Sequence, residues 1–424
     1  KLGRIPSLTI ATCASWVYAF VSGFSAPVVR AAGGFTLFLV ASYLFRRTRI
    51  LNILAAVALL YLVFDPDELF DASFQLSFLS AAALAVFAIP LMERWTAPLR
   101  SAAGTADRLI AGLKDNPHTA TWRVELRLVA ETLSAWTRLS LKTSTILVGV
   151  LAKAVAFVAE AVLVSACVQF GLALPMVAYF HRVSLTGLSA NVIVVPLLSL
   201  VVPFGFAAIL TGWHWLAWAT ALFLRWSEAV AAWHVRWEPT WRIETTPLWI
   251  ACLFASSLIA LAIALRYKSR WTPWSTALAV CLFAIIWWQP WALFFQPGWL
   301  EVSTIDVSQG DSILVVFPQG QTMLVDGGGF PGMGRLTHKP NMDIGEDIVS
   351  PYLWSRQIHH LDYAVLTHGH SDHMGGLGAI LDNFRPRELW IGVEPESDEW
   401  KQLRSRAERD HVKIHPVRSG QSIP

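Results

Sequence analysis

Up to about position 297 the chain alternates long apolar runs with short polar turns. Beyond it the pattern changes to short strand-like runs between glycine-containing turns. A membrane-spanning helix needs roughly 20 mostly apolar residues. Runs approaching that length lie at 8–24, 27–45, 50–64, 72–91, 144–167, 168–180, 186–210, 213–235, 248–265 and 276–295. They predict roughly eight to ten membrane segments, the short or proline-bearing ones being possible re-entrant halves. The stretch from Asn191 to Pro203 carries Pro196 and Ser199 among apolar residues. Proline lacks the N–H that a helix interior needs, so a broken helix is expected there, with its freed backbone facing protein or a water-filled cavity. Asn191, Pro196, Pro203 and Gln75 are therefore candidate pore residues, and Ser73, Ser77 and Ser80 share the segment of Gln75. A kink without a pore satisfies the same pattern.

The polar insertion 93–142 interrupts the apolar runs. Within it Trp122, Leu126, Val129, Leu133, Trp136 and Leu139 recur at three- and four-residue spacing, flanked by Arg123, Arg127, Arg138 and Lys142. This spacing predicts one amphipathic helix, either lying on an anionic inner leaflet or packed on the bundle.

Composition adds that the two parts differ in kind. Hydrophobic residues make up 54% and charged residues 15% of the 424. That excludes a purely water-soluble globule. Residues 1–298 hold 22 Lys+Arg against 13 Asp+Glu, net +9. Residues 299–424 hold 11 against 17, net −6, which returns the overall +3. The expected organisation is a polytopic transmembrane region, 1–297, followed by a soluble domain, 298–424. Cys13, Cys167, Cys252 and Cys281 all sit in apolar runs, with neither metal-type pairing nor a disulfide framework. Basic turns mark cytoplasmic loops. Arg46, Arg47 and Arg49 form one such turn, Arg266, Lys268 and Arg270 another, and the acidic turn Asp65, Asp67, Glu68, Asp71 falls on the opposite side. The last helix then carries the soluble domain out of the cytoplasm, provided that 144–180 crosses once.

In that domain 301–307, 312–317, 321–325 and 362–367 read as strands, with Pro318-Gln319-Gly320 as a hairpin turn. The last strand feeds His368-Gly-His370-Ser-Asp372-His373, followed by Gly375-Gly376 and a short helix. Three imidazoles and a carboxylate within six residues suit Zn²⁺, Mn²⁺ or Fe²⁺. His368 and His370 can face one ion, and Asp372 and His373 a second. Such a pair of ions clamps a phosphodiester for in-line attack. Asp326, ending a strand before three glycines, is either a turn residue or a group that orients a ligand histidine from beneath.

The pattern His-x-His-x-Asp-His after a Thr-ended strand, with Val325-Asp326-Gly-Gly upstream, resembles the metallo-β-lactamase fold. Asp306-Val-Ser-Gln309-Gly310-Asp311-Ser312 at the domain opening, Pro351-Tyr352-Leu353-Trp354, and a membrane region in front narrow it further. In the membrane region Ser25-Ala-Pro27-Val-Val-Arg30-Ala31, Asp65-Pro66 with Phe74-Gln75-Leu76-Ser77-Phe78, and Leu188-Ser-Ala-Asn191 with Pro196-Leu-Leu-Ser199 point the same way. Together these resemble the ComEC family of DNA-internalisation competence proteins. The resemblance implies an α/β, αββα-sandwich domain truncated at its C-terminus, behind a competence-type membrane domain. It implies two divalent metal ions, Zn or Mn, on His368, His370, Asp372 and His373, with Asp372 and His370 catalytic and Asp306 and Asp311 at the opening of the site.

It further implies a bacterial cytoplasmic-membrane protein that passes single-stranded DNA inward while an extracytoplasmic nuclease domain degrades the other strand. DNA, the lipid bilayer and other DNA-uptake proteins are the partners. Some features depart from the family pattern. An N-terminal OB-like domain and the remaining ligands, a His, a bridging Asp and a further His, are absent, so the chain reads as a fragment of a longer protein. Asp306-Val-Ser replaces the commoner Asp-Val-Gly. His411 and His415 fall too early to be the missing ligands, and His338, His359 and His360 read as surface or loop residues. With the domain at net −6, DNA contact there is expected at local cations such as Arg335, Lys339 and Arg356. The alternatives are a membrane-anchored hydrolase of a small ester or nucleotide, and a channel with a non-catalytic DNA-binding cap.

Overall fold

A computed structural model describes residues 3–44, 49–105, 116–238, 242–291, 295–330, 342–418 and 420–421. Arg46 and Arg47 of the expected basic turn, and Arg335, His338 and Lys339, lie outside the described residues. The chain gathers into two compact units. The first is Lys1–Tyr179, Val183–Pro239 and Ala251–Phe283. The second is Phe180–Arg182, Thr240–Ile250 and Ala284–Pro424.

The first unit is helical: α1 (Arg4–Val21), α2 (Ala26–Tyr43), α3 (Ile50–Phe64), α4 (Ala72–Ala83), α5 (Ile89–Trp95), α6 (Ala97–Thr105), α7 (Pro117–Thr137), α8 (Leu141–Phe180), α9 (Gly187–Thr211), α10 (His214–Val235), α11 (Leu248–Arg266) and α12 (Thr272–Trp288). Local chemistry sets the ends. Pro27 lies in the first turn of α2, where its missing N–H costs nothing. The Asp71 carboxylate caps α4 by accepting from Phe74 N at 3.0 Å. Asn116 caps α7 through His118 N, and Gly212 closes α9 in the left-handed region at φ 69°. A π-helical turn, Leu84–Ala88, joins α4 to α5. Among the described residues five helical stretches are long and apolar enough to cross a membrane: Ala26–Tyr43, Ala72–Trp95, Leu141–Phe180, Gly187–Thr211 and Leu248–Arg266. Three shorter apolar helices accompany them.

Two expectations are corrected. The runs 144–167 and 168–180 form a single 40-residue helix, α8, with Pro175 inside it. The stretch 191–203 is not broken either, because α9 runs unbroken through both Pro196 and Pro203. Each proline removes one i→i−4 hydrogen bond. In a uniformly apolar helix, where every other backbone group must stay paired internally, unwinding would forfeit several more. The helix therefore absorbs the two losses.

Polar side chains in this unit mostly tie helices together. Arg30 of α2, buried, donates to Ser73 Oγ at 2.6 Å and to Ser73 O at 3.1 Å, and lies 3.7 Å from Glu68. Glu160 of α8 accepts from Thr96 at 2.9 Å and from Arg100 at 3.1 Å. Asn191 Nδ2 donates to Ser165 Oγ at 3.2 Å, joining α9 to α8. Gln75 donates to Leu69 O at 3.0 Å and lines a cavity of about 610 Å³ with Leu79, Gly171, Pro175, Phe254 and Leu258. Neither Asn191, Pro196 nor Pro203 lines that cavity. The amphipathic helix expected in the insertion is α7. It packs on α6 and leaves Trp122, Val129 and Trp136 exposed at seven-residue intervals.

The second unit is built on a six-stranded sheet in sequence order: β1 (Glu301–Thr304), β2 (Ile313–Val316), β3 (Thr322–Val325), β4 (Tyr363–Leu366), β5 (Glu388–Ile391) and β6 (Lys413–Pro416). The first three pair antiparallel, and the β3–β4, β4–β5 and β5–β6 pairs are parallel. The hairpin at Gly320 closes with Gly320 N donating to Phe317 O. Helices α13 (Ser350–Ser355), α14 (Ser371–Met374), α15 (Leu377–Phe384) and α16 (Asp398–Arg409) complete the unit. Alternation in the strands sorts the side chains. Leu314, Val316 and Leu324 are buried with Leu353, Trp354, Ile380 and Phe384, and Ala364, Leu366, Leu389 and Ile391 with Leu377, Trp400 and Leu403. The opposite face, with Ile313, Val315, Met323, Val325, Tyr363, Val365 and Trp390, is only half-buried. The unit thus shows one sheet and one helical layer, two of the four layers of an αββα sandwich.

The segment Thr240–Ile250 belongs to this unit, although its sequence lies between α10 and α11. Its Glu244, 1% exposed, accepts from Trp291 Nε1 at 3.1 Å and pairs with His359 Nδ1 at 2.9 Å. The hydrogen bond to Glu244 raises the His359 imidazole above its ordinary 6.5, against the opposing effect of burial. A raised value means that the protonated pair stabilises the fold fully below about pH 6.5 and loses that contribution as pH rises through the folded value. Buried His181 is shifted the other way by desolvation and acts oppositely. The difference between wild type and His359→Gln isolates the pair. Thermal unfolding of the full chain at pH 6 and pH 8 should show the variant less destabilised relative to wild type at pH 8. An equal gap at both pH values contradicts the assignment.

Candidate metal centre

The centre forms where β3 and β4 end side by side. Asp326 follows β3 directly. Its N–H donates to Val365 O at 2.8 Å, which extends the parallel ladder, and its backbone then turns left-handed at φ 59°. Asp tolerates that region better than most residues. The turn leaves its carboxylate 2% exposed between two chain segments. Oδ1 accepts from Thr367 N at 2.8 Å, and Oδ2 accepts from Thr367 Oγ1 at 2.6 Å and from His373 Nδ1 at 2.8 Å. Ser312 Oγ holds the Asp326 carbonyl at 3.0 Å. A carboxylate is acceptor-only, so it fixes the proton of His373 on Nδ1 and leaves Nε2 as a free lone-pair donor.

The other donors flank that imidazole. The His368 ring lies 4.0 Å from His373 and 4.7 Å from His370, centroid to centroid, and its Nδ1 is 2.9 Å from Thr367 Oγ1. Asp372 Oδ2 lies 3.9 Å from His373 Nε2. His370 opens α14, whose first turn closes with His373 N and Met374 N donating to His370 O. The turn Asp306–Ser312 brackets the loop. Asp306 Oδ1 accepts from Ser308 N at 3.1 Å, and Asp311 Oδ2 lies 4.0 Å from His373 Nδ1. Gly310, at φ 87°, touches the loop backbone, and a Cβ there would run into the carbonyl of Asp372. Only glycine allows that approach.

The structure thus brings His368, His370, Asp372, His373 and Asp326 together, with Asp311 at the edge and Asp306 in the turn behind. Among the described residues no three His, Cys, Asp or Glu side chains are grouped closely enough to hold a metal ion by themselves. In chemistry the donor set fits a divalent ion: three imidazoles, one carboxylate, and a carboxylate-oriented His. His359 pairs with Glu244, and His415 of β6 lies 3.6 Å from Glu388 of β5. Two contributors were missed by sequence reading. Thr367 holds Asp326 and His368 at once, and Glu399 of α16 accepts from Ser371 Oγ at 3.1 Å. The strand-ending Thr was a readable signal for the first. The 28-residue separation left none for the second.

Asp326→Asn keeps the shape and the tolerance of a left-handed backbone but removes the charge. Orienting carboxylates of this kind are worth about 10- to 100-fold in metal affinity. Zn²⁺ binding by chelator competition should weaken by about that factor. Unchanged affinity would mean that other groups orient His373.

Comparison with known proteins places these features. Residues 2–268 match the competence protein family, and residues 305–419 match the metallo-beta-lactamase superfamily. The chain is 27% identical over 276 residues to ComE operon protein 3 of Bacillus subtilis (strain 168), covering 61% of this chain and 34% of that protein. It is 27% identical over 251 residues to the uncharacterized protein YcaI of Escherichia coli (strain K12), covering 54% of this chain and 30% of the relative. The chain therefore spans about a third of the length of these relatives. No solved structure matches it. The superfamily match is that of a fold that uses divalent metals, and the apolar helices are those of a multi-pass membrane protein. With more than half its length matched, the chain is a member of the ComEC-type competence protein family, a helical membrane domain followed by a metallo-β-lactamase domain.

Proposed function

We propose that the chain is the membrane and nuclease portion of a DNA-uptake protein of the bacterial cytoplasmic membrane. The first unit passes single-stranded DNA, and the second hydrolyses the strand left outside. The observation that carries this reading is the Asp326–His373 pair beneath a three-imidazole loop, in a chain whose membrane part belongs to the competence family. DNA, the lipid bilayer and other DNA-uptake proteins are its partners. In the first unit Gln75, on its cavity, is the residue we assign to the strand path, whereas Asn191, Pro196 and Pro203 lie on the unbroken α9 away from that cavity.

Two divalent ions, Zn or Mn, held by His368 with His370 and by Asp372 with His373, would supply Lewis-acid stabilisation of the phosphodiester. The chain's own groups do the rest. Asp326 holds the His373 ring and its Nδ1 proton. Thr367 ties that carboxylate to His368. Asp372 is the carboxylate of the loop itself and, with His370, stands beside the scissile group. Asp306 and Asp311 shape the opening. Arg356 is taken up by Glu301 at 2.6 and 3.0 Å, which weakens the case for it as a DNA contact.

The full chain with the rest of its protein should hydrolyse DNA in the presence of Mn²⁺ or Zn²⁺. Asp372→Ala and His368→Ala should lower that rate by about 10³-fold or more, because the attacking and leaving oxygens are no longer both stabilised. Both variants should still insert into membranes. Equal rates, with no metal retained by wild type, favour a non-catalytic DNA-binding cap. Hydrolysis of small esters but not of DNA favours an anchored small-molecule hydrolase.

The orientation follows from Arg266, Lys268 and Arg270 before α12. A reporter fused after Trp299 should be active only as an extracytoplasmic probe, and cytoplasmic activity would reverse the topology.

A further inference from the structure

Two segments that precede the sheet in sequence are parts of the second unit: Phe180–Arg182, after α8, and Thr240–Ile250, before α11. They are bound to each other. Ile243 N donates to His181 O at 2.9 Å, and His181 Nδ1 lies 2.9 Å from Ile243 O. Burial holds His181 below its ordinary protonation range, so the neutral ring donates from Nδ1. The His181 ring rests 4.5 Å from Trp354, and the Arg242 guanidinium lies 5.5 Å over the same indole. Arg242, its side chain 10% exposed, ion-pairs with Glu346 and donates from Nε to Asn383 Oδ1 at 3.3 Å. Arg182 reaches the same carboxylate at 3.8 Å. Asn383 Nδ2 donates to Glu346 Oε2 at 2.7 Å and to Ser350 Oγ at 3.0 Å. One carboxylate thus takes two arginines, one from each segment, and an amide from α15.

Glu346 lies in a π-helical turn, Gly345–Val349. Its neighbour Gly345 is pressed on Gly376, so that a Cβ on Gly345 would overlap the Gly376 carbonyl. Gly376 N donates to Gly328 O at 2.9 Å, and Gly327 N donates to His373 O at 2.8 Å. From Glu346 to the imidazole loop the route is therefore backbone against backbone. Contacts of that kind pass a displacement on with less rotamer freedom to absorb it than contacts between side chains.

We infer that Glu346 is a positioning residue for the His368–His373 loop, set by Arg242 and Arg182, so that the α8–α9 and α10–α11 connections tune the metal centre. Arg242 is nearly buried and Glu346 half-buried, so removing the carboxylate leaves the Arg242 guanidinium without its charge partner in a place where little water can replace it. Contiguous packed elements of this kind carry coupling between sites. The inference rests on reading the loop as a metal centre, and its test is separable from hydrolysis.

The test uses the full chain in detergent or nanodiscs: wild type, Arg242→Gln, Arg242→Lys, Glu346→Gln, and Asp372→Ala as the site control. Mn²⁺ is the binding probe, and amide hydrogen exchange over residues 371–378 is the structural readout. Arg242→Gln and Glu346→Gln should each weaken Mn²⁺ binding about 10-fold and raise exchange over 371–378, with β4 and β5 unchanged. Where DNA is hydrolysed, kcat should fall about 10-fold with KM within about twofold. Arg242→Lys should recover most of each effect. Unchanged loop exchange and Mn²⁺ affinity would overturn the inference, leaving Glu346 a surface anchor. Exchange raised evenly through β4 and β5 would equally overturn it, as a general loss of stability. If wild type neither binds Mn²⁺ nor hydrolyses DNA, the proposed function fails, and the exchange pattern alone decides this inference.

Discussion

A single buried carboxylate holds the metal-centre end of the sheet. Asp326 follows β3, takes two bonds from Thr367, the residue that follows β4, and takes a third from the imidazole of His373 on α14. Strand ends in a parallel sheet have no ladder partner beyond their last residue, so their orphan N–H groups need an acceptor. A side-chain carboxylate supplies several acceptor positions at once. In doing so it fixes the direction in which the chain leaves β4, and with it the direction of every donor between His368 and His373. An apolar residue at 326 would leave the mostly buried His373 Nδ1 without its acceptor, at about 1–3 kcal/mol, and would turn the exposed Thr367 groups over to water.

The second unit was legible where its signals are local. The strands showed by β-branched runs and alternation, the hairpin by Pro318-Gln319-Gly320, and the donor loop because all four residues fall within one turn of chain. What stayed hidden is long-range. Arg242 meets Glu346 across 104 residues and Asn383 across 141, and no periodicity carries that information. A basic residue in a short polar loop reads as a solvated charge until the fold buries it. The segments 180–182 and 240–250 were assigned to the membrane part because they sit among apolar runs, whereas their contacts belong to the sheet-bearing unit.

The membrane part was legible in composition and less so in shape. Apolar length identified the helices, but the break expected at Pro196 and Pro203 supposed that the backbone freed by each proline would find protein or a water-filled cavity to face. Beside such a cavity, a lost hydrogen bond is replaced by water and the helix opens. In an apolar surrounding the remaining bonds have no substitute, and the helix stays closed. The polar residues followed a different rule. Arg30, Glu160 and Asn191 each find partners on another helix or turn, the arrangement expected where an unpaired group has no water to turn to.

Helix α8 is 40 residues long. At about 1.5 Å per residue it extends about 60 Å, twice the roughly 30 Å of a bilayer's hydrocarbon. Its second half, from Ala161 to Phe180, carries no charged residue, and its first half carries Lys142, Lys153 and Glu160. Upright, the second half alone fills the membrane, and the first stands beyond the hydrocarbon beside the Thr96 and Arg100 that hold Glu160. Yet that first half leaves Ile146, Val150, Leu151 and Val155 exposed. Apolar surface of that extent is not left to water, so α8 either tilts to sink more of its length into the apolar layer or has this stretch covered by a further protein surface. The length of one helix thus limits how upright it can stand in a bilayer.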